Sequence, residues 1–199
     1  MTKTLEFLFD FGSPNCYLAY KALPSYTEKL DAAVEIVPCL LGGVFKATGN
    51  RSPVETSAGV KGKIEYELLE IRRFCARHAI SKFAFNPYFP INTLTLMRGL
   101  VAVEDRRERY IDAVLGAMWE DGRNMNDTAI VAQVLTAAGF DPGALMAQTQ
   151  DPGVKRQLID NTEAAVARGV FGLPAFFVGG EMFFGKDRLR DAAELLQNA

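Results

Sequence analysis

The segment Ser13-Pro14-Asn15-Cys16 lies where a strand-like stretch ends and a helix begins. Proteins that exchange disulfides often place Cys-x-x-Cys at such a junction, because the helix N-terminus stabilises an anion and lowers the pKa of the first thiol. Ser13 cannot form a disulfide with Cys16, which excludes dithiol exchange. Two interpretations are open: Ser13 is an ordinary N-cap, or its hydroxyl activates a thiol carried by a bound small molecule. We interpret Cys16 as a buried apolar side chain.

A second candidate is the proline at the entrance to the strand-like segment AFFV, in Gly172-Leu173-Pro174. Proline cannot donate a hydrogen bond within a central strand, so it marks an edge or a special turn. If the Leu173–Pro174 bond is cis, we expect the Leu173 backbone to be exposed for pairing with an extended small peptide. The alternative is a plain edge-strand proline.

A third candidate is Phe184-Gly185-Lys186-Asp187, which opens the last predicted helix at Asp187. The free N–H groups of a helix start bind a carboxylate, while Asp187 would pair with an ammonium group. A ligand with both charges at one end, such as an amino-acid terminus, fits this combination. The alternative is that Asp187 is only an N-cap.

Two predicted loops complete the set of candidates. Lys46, Asn50 and Arg51 fall in FKATGNRS, after the second strand, and Asn86 falls among aromatic residues in FNPYFPINT. Because arginine forms forked hydrogen bonds with carboxylates, these loops could hold an aromatic carboxylic acid. Each is otherwise an ordinary solvated loop.

Composition excludes several other classes of function. A net charge of −2 and a pI near 5.5 argue against nucleic-acid binding. The three cysteines are far apart and His78 is the single histidine, so no metal site is predicted. His78 is interpreted as a helix-end residue. No apolar run reaches membrane-spanning length and no cleavable leader is visible, so we expect no membrane association and a cytoplasmic location.

The elements that must position these residues follow from the hydrophobic pattern. Strands are predicted at 4–10, 33–41, 174–178 and 181–184, with Gly179-Gly180 as a hairpin turn. Helices are predicted at 14–31, 60–79, 93–104, 107–120, 127–138, 142–149, 153–168 and from Asp187. The order β-α-β, helices, β-β-α predicts an α/β, thioredoxin-like domain (1–45 and 165–199) with an α-helical domain (46–164) inserted.

Four segments together resemble the 2-hydroxychromene-2-carboxylate isomerases: FDFGSPNCYLAYKALP, ATGNRSP, FNPYFPINTLTLMRG and GVFGLPAFFVGGEMFFGKDRL. This family is related to the kappa-class glutathione transferases and to the DsbA-like thioredoxin superfamily. The resemblance covers nearly the whole chain. It implies a thioredoxin fold with a helical insertion, glutathione as cofactor, a small aromatic carboxylic acid as substrate, and a homodimer.

By position, the resemblance implies a role for each candidate residue. Ser13 would lie beside the glutathione sulfur, the Leu173 backbone would pair with the tripeptide, and Pro174 would be part of the same glutathione-binding segment. Substrate contact or ordering of the site would come from Lys46, Asn50, Arg51 and Asn86. The γ-glutamyl end would be held by Phe184, Gly185, Lys186 and Asp187.

The implied reaction interconverts 2-hydroxychromene-2-carboxylate and trans-o-hydroxybenzylidenepyruvate, in the breakdown of naphthalene-type compounds. Thiolate addition would convert a conjugated double bond into a single bond, which rotates before elimination. One alternative is a glutathione transferase or peroxidase of the kappa kind. Another is a non-catalytic binding module or chaperone on the same scaffold.

Overall fold

The computed structural model describes residues 3–28, 30 and 32–198. The first part of the chain forms β1 (Lys3–Phe9), α1 (Pro14–Thr27), β2 (Ala32–Pro38), α2 (Leu41–Thr48), α3 (Pro53–Ser57) and α4 (Lys63–Arg77). The central helices are α5 (Leu94–Ala102), α6 (Arg107–Trp119), α7 (Thr128–Ala137), α8 (Pro142–Gln148) and α9 (Pro152–Ala167). The chain closes with β3 (Ala175–Val178), β4 (Glu181–Phe184), a 3-10 turn (Lys186–Arg188) and α10 (Leu189–Asn198). This order confirms the predicted α/β, thioredoxin-like arrangement.

The four strands form one mixed sheet in the order β2-β1-β3-β4. β1 runs parallel to β2 and antiparallel to β3, so Phe9 lies opposite Pro38 while Leu8 lies opposite Ala175. Three strand termini therefore lie at the same end of the sheet: the C-terminal ends of β1 and β2 and the N-terminal end of β3. That geometry brings the turn at Ser13, the start of α2 and Pro174 into one region.

The helices α9 and α10 pack against strands of the sheet. α10 packs against α1, β1 and β3, whereas α9 packs against β2, α2 and α5. The buried indole of Trp119 at the end of α6 donates to the Phe11 carbonyl over 2.9 Å, which ties the central helices to the turn after β1. The predicted domain division stays a prediction; residues 45 and 165 both lie inside helices, α2 and α9.

Three predicted boundaries were wrong. Residues up to Thr48 of the predicted FKATGNRS loop belong to α2, and the second strand ends at Pro38 instead of residue 41. The last α-helix begins at Leu189, because residues 186–188 form a 3-10 turn. α2 has no side-chain cap of its own. Its first N–H groups are satisfied instead from distant parts of the chain, by Asp10 and Thr162.

Among the described helices, none alone combines the length and the apolar character needed to cross a membrane. Of these helices, only α7 and α8 taken as one segment reach that length and apolar character, and the two helices are bent by 116° relative to each other.

Candidate active site

The turn between β1 and α1 presents a serine hydroxyl at a helix N-terminus. Ser13 is the N-cap of α1, and its Oγ accepts a hydrogen bond from the Cys16 N–H at 3.2 Å. Pro14 occupies the first helical position, where its missing N–H costs nothing. The first turn of α1 carries no acidic side chain. The N-cap interpretation is therefore confirmed, and the helix end leaves a positive potential that favours an anion.

The same hydroxyl contacts the second candidate segment. Ser13 Oγ donates to the Leu173 carbonyl over 3.0 Å, and both residues are buried. The Leu173–Pro174 peptide bond is cis. The expectation that the Leu173 backbone is exposed was wrong, because Leu173 is buried and its carbonyl already accepts from Ser13. Because β3 lies between β1 and β4, Pro174 precedes an interior strand, and the edge-strand alternative is wrong. Proline is tolerated here because the strand's paired residues begin at Ala175.

A buried carboxylate missed by the sequence analysis supports this turn. Asp10 is fully buried; its Oδ1 accepts from the Gly12 N–H at 2.8 Å and the Thr93 hydroxyl at 2.7 Å, and its Oδ2 accepts from the Leu41 N–H at 2.7 Å. Burial raises its pKa, and the hydrogen bonds from Gly12, Leu41 and Thr93 oppose that shift. The sequence did contain a signal for this residue: an aspartate inside the apolar run FLFDFG indicates a buried carboxylate that needs hydrogen-bond donors.

The cysteines offer no reactive group of their own at this turn. Cys16 is completely buried, and burial raises the pKa of its thiol far above the ordinary value. Burial also raises the pKa of Cys39 to about 12. Across the described residues, Cys16, Cys39 and Cys75 are free thiols. The interpretation of Cys16 as a buried apolar side chain is confirmed, and any thiolate near Ser13 has to come from a ligand.

The segment after β4 lies beside the cis-proline. Gly185 donates its N–H to the Pro174 carbonyl over 2.9 Å and has a φ of +90°, in the region that favours glycine. The Phe184 ring packs on Phe171 with centroids 4.5 Å apart, and both rings are partly exposed. These contacts hold residues 184 and 185 against the loop that carries Leu173.

Lys186 and Asp187 form a pair within this segment. Lys186 Nζ lies 2.6 Å from Asp187 Oδ2 and 5.0 Å from the centre of the Phe74 ring. Lys186 is buried, whereas the Asp187 side chain is 52% exposed. Asp187 lies inside the 3-10 turn, so the alternative that it is a helix N-cap is wrong. Its exposed carboxylate faces solvent on one side and the Lys186 ammonium on the other.

The remaining candidates lie in three different places. Asn50 Nδ2 donates to the Phe171 carbonyl over 2.7 Å, and Asn50 Oδ1 accepts from the Arg51 N–H, so Asn50 ties the end of α2 to the cis-proline loop. Arg51 is exposed beside it. Lys46, in the last turn of α2, lines a groove between α2, α5 and α9.

Asn86 lies in a different environment, buried inside the aromatic loop. Its Nδ2 donates to the Met118 and Arg123 carbonyls at 2.9 and 2.8 Å, and its Oδ1 accepts from the Tyr88 N–H. The loop is ordered by these bonds and by Phe83 and Phe89, whose rings lie 6.2 and 5.8 Å from that of Trp119.

A continuous chain of contacts thus unites six of the predicted residues. It runs through the following, with Phe171 linking the last two: Ser13, Leu173, Pro174, Gly185, Phe184 and Asn50. Lys186 and Asp187 follow directly in sequence. Lys46, Arg51 and Asn86 have no direct hydrogen bond to Ser13 or Leu173 among the described residues. The united group combines a helix N-terminus, a hydroxyl donor and backbone next to a cis-proline, which together suit a small peptide that carries an anionic group.

Several known proteins are similar to this chain over nearly its whole length. A model of the DSBA-like thioredoxin domain family matches residues 4–197. A 2-hydroxychromene-2-carboxylate isomerase of Sphingobium xenophagum is 28% identical over 189 residues, covering 95% of each chain. Glutathione S-transferase kappa 1 of Rattus norvegicus is 29% identical over 209 residues, covering 98% of this chain and 91% of the relative.

Solved structures extend the comparison. The structure of a 2-hydroxychromene-2-carboxylate isomerase superposes with a TM-score of 0.83 at 25% identity, covering 98% of this chain and 95% of the other. A probable DsbA oxidoreductase of Streptomyces coelicolor shares the fold with a TM-score of 0.74 at 18% identity, covering 98% and 89%. These similarities confirm the resemblance that the four sequence segments predicted.

Proposed function

We propose that this protein, which belongs to the DSBA-like thioredoxin domain family, is a glutathione-dependent isomerase that interconverts 2-hydroxychromene-2-carboxylate and trans-o-hydroxybenzylidenepyruvate. The observation that carries the proposal is the contact between Ser13 Oγ and the Leu173 carbonyl, beside a cis-proline and at the start of α1. It puts a hydroxyl donor where disulfide-exchanging proteins need a thiol. Relatives with the isomerase name, at 26–28% identity, support the assignment.

The donor set around Ser13 fits glutathione. The Leu173 backbone would pair with the central residue of the tripeptide, and Phe184, Gly185, Lys186 and Asp187 would hold the γ-glutamyl end. Asp187 supplies an exposed carboxylate for the α-ammonium group, and the pairing with Lys186 fixes its position. Bound glutathione would supply a thiolate nucleophile that adds reversibly to the conjugated double bond of the substrate and so permits rotation.

The Ser13 hydroxyl has a single proton to donate, which it gives to the Leu173 carbonyl. To donate to a ligand thiolate, the hydroxyl has to rotate away from that carbonyl. The rotation frees the Leu173 carbonyl to accept an N–H from the ligand backbone. With a ligand bound, this exchange of hydrogen bonds would leave neither the Ser13 hydroxyl nor the Leu173 carbonyl without a partner.

For the substrate, we propose that Asn50, Arg51 and Lys46 form the carboxylate-binding and enolate-stabilising group. Asn86 would act by ordering the aromatic loop. Its two N–H donors hold the loop to the Met118 and Arg123 carbonyls, and its Oδ1 accepts from the Tyr88 N–H within the loop. The homodimer is a further part of this proposal, and its direct test is sedimentation of the purified chain.

The experiment is an assay of purified protein with 2-hydroxychromene-2-carboxylate, with and without glutathione. We expect turnover only when glutathione is present, with no consumption of glutathione. Turnover that is unaffected by omitting glutathione would contradict the proposal.

A second candidate is a kappa-type transferase or peroxidase, which the 28–29% identity to mammalian kappa 1 enzymes favours. That activity consumes glutathione in proportion to product, so the same assay separates the two. A non-catalytic binding module would show neither turnover nor consumption.

A further inference from the structure

A groove separate from the Ser13 site is present in the described part of the chain. It has a volume of about 690 Å³ and lies between α2, α5 and α9. Its walls are mainly apolar and include Leu40, Leu94, Leu158, Ile159 and Val166. A volume of this size is typical of sites for small organic ligands.

Two polar groups among the residues that line the groove have hydrogen-bond partners within the protein. Leu40 donates its N–H to Thr162 Oγ1 over 2.9 Å, and that hydroxyl donates to the Leu158 carbonyl over 2.7 Å. A Cβ on Gly43 would come within 3.1 Å of the Thr162 methyl group, so α2 and α9 approach closely there. Because these polar groups are already hydrogen-bonded, the surface between α2 and α9 offers a ligand mainly apolar contacts.

The charges of the groove are unbalanced. Lys46, Arg98 and Lys155 line it, against the single acidic residue Glu163. Within the described residues, none of these three cations lies within 4.0 Å of a carboxylate. Three cations around one apolar groove contrast with the net charge of −2 of the whole chain. Ile159, one of the apolar residues that line the groove, is 46% exposed.

We infer that this groove binds a small amphipathic carboxylate, whose apolar body lies on the leucine walls and whose anionic group meets Arg98 and Lys155. The residues that contact Ser13, Leu173 and Pro174 do not line the groove. The site is thus separate from the proposed glutathione site, and ligand binding does not require the proposed isomerase activity. Lys46 belongs both to the groove and to the proposed substrate contacts, so the test relies on the other two cations.

The experiment measures binding of 1-naphthoate to the whole chain by calorimetry without glutathione. We expect one saturable site with a dissociation constant of roughly 1 mM or below. Reversal of two charges, Arg98→Glu with Lys155→Glu, should weaken binding roughly tenfold or more. The matched control is Arg72→Glu with Lys61→Glu, which reverses two exposed charges outside the groove and should leave binding unchanged.

Two further measurements separate the alternatives. A neutral analogue, 1-naphthalenemethanol, should bind more weakly and should not respond to the charge reversals. The inference is overturned if both double variants bind 1-naphthoate equally, or if Ser13→Ala or saturating glutathione abolishes binding, which would assign the ligand to the Ser13 site. Conversion of a dimer to a monomer by the groove variant alone would assign the groove to a second copy of the chain, and would also overturn it.

Discussion

The Ser13 hydroxyl donates to the Leu173 carbonyl over 3.0 Å, across 160 positions of sequence. The contact joins the start of α1 to the cis-proline loop. Because the same Oγ accepts from the Cys16 N–H, Ser13 both caps a helix and holds the two halves of the candidate site together. Its loss should therefore affect stability and chemistry by different amounts.

Ser13→Ala is expected to lower the isomerase rate roughly tenfold or more, because loss of a hydrogen bond to the thiolate raises the thiol pKa by about one unit. The lost cap should cost about 1 kcal/mol of stability. Steady-state kinetics measure the isomerase rate, and the ultraviolet absorbance of the bound thiolate as a function of pH measures the pKa of the thiol. Asp127→Ala removes the N-cap of α7 and serves as the control, with a similar loss of stability and an unchanged rate. An equal rate in Ser13→Ala and wild type would disprove the mechanism.

Asp10 should make the protein's stability depend on pH at mildly acidic values. Burial raises its pKa above the ordinary 3.8, so the folded chain retains this proton when the unfolded chain has lost it. The contribution of Asp10 to stability is therefore present below 3.8 and is lost as pH rises through its folded pKa. Urea unfolding across that window should show a shallower fall with pH in Asp10→Asn than in wild type. An equal slope in Asp10→Asn and in wild type would contradict the assignment.

Asp187→Asn should weaken glutathione binding and also destabilise the fold. The substitution removes the carboxylate that pairs with the buried Lys186 ammonium, at a cost of about 1–3 kcal/mol. Calorimetric titration with glutathione and thermal unfolding measure the two effects. The control is Asp191→Asn, whose partners Arg188 and Arg190 are exposed, and for which we expect a much smaller change in stability and unaltered affinity. Unaltered affinity in Asp187→Asn would rule out its proposed contact with the γ-glutamyl end.

Gly99→Ala should destabilise the packing of α5 on α6 by about 2 kcal/mol. A Cβ on Gly99 would overlap the Tyr110 hydroxyl, which donates to the Leu96 carbonyl over 2.9 Å. Gly116→Ala, in α6, meets no atom within 4 Å and should stabilise by about 0.5–1 kcal/mol through helix propensity. Denaturant unfolding of both variants checks the contrast, and similar values would refute the close approach of the two helices.

His78 should titrate below its ordinary pKa of 6.5, because partial burial disfavours its charged form and Arg77 adds repulsion. The unfolded chain then binds this proton more readily, so the contribution of His78 to stability rises with pH up to about 6.5. Because it is the single histidine, its ring protons can be followed by NMR without assignment. Removal of the 3.3 Å contact with the Tyr26 hydroxyl by Tyr26→Phe should leave the pKa lowered, since burial is the main cause. A value at or above 6.5 in wild type would show that burial is not the dominant effect.

Local signals in the sequence determined much of the fold. Ser13 followed by Pro14 marks the start of α1, and the pair Gly179-Gly180 has the positive φ values that a tight hairpin turn requires. The helical periodicity of the central region located α4 to α9 to within a few residues. Such features depend on interactions between neighbouring residues, so they can be recognised without a structure.

The tertiary structure alone decided which of these residues meet. α2 begins at Leu41 because Asp10, 31 positions away, accepts from its N–H, and because Thr162, 122 positions away, accepts from the preceding one. Likewise, Lys186 is buried against the Phe74 ring. The sequence around Lys186 does not predict this burial, because Phe74 lies in a distant helix. The sequence supplied a serine at a helix start and a proline before a strand. Their contact depends on the order of strands in the sheet, since only the placement of β3 beside β1 brings Leu173 to the Ser13 hydroxyl.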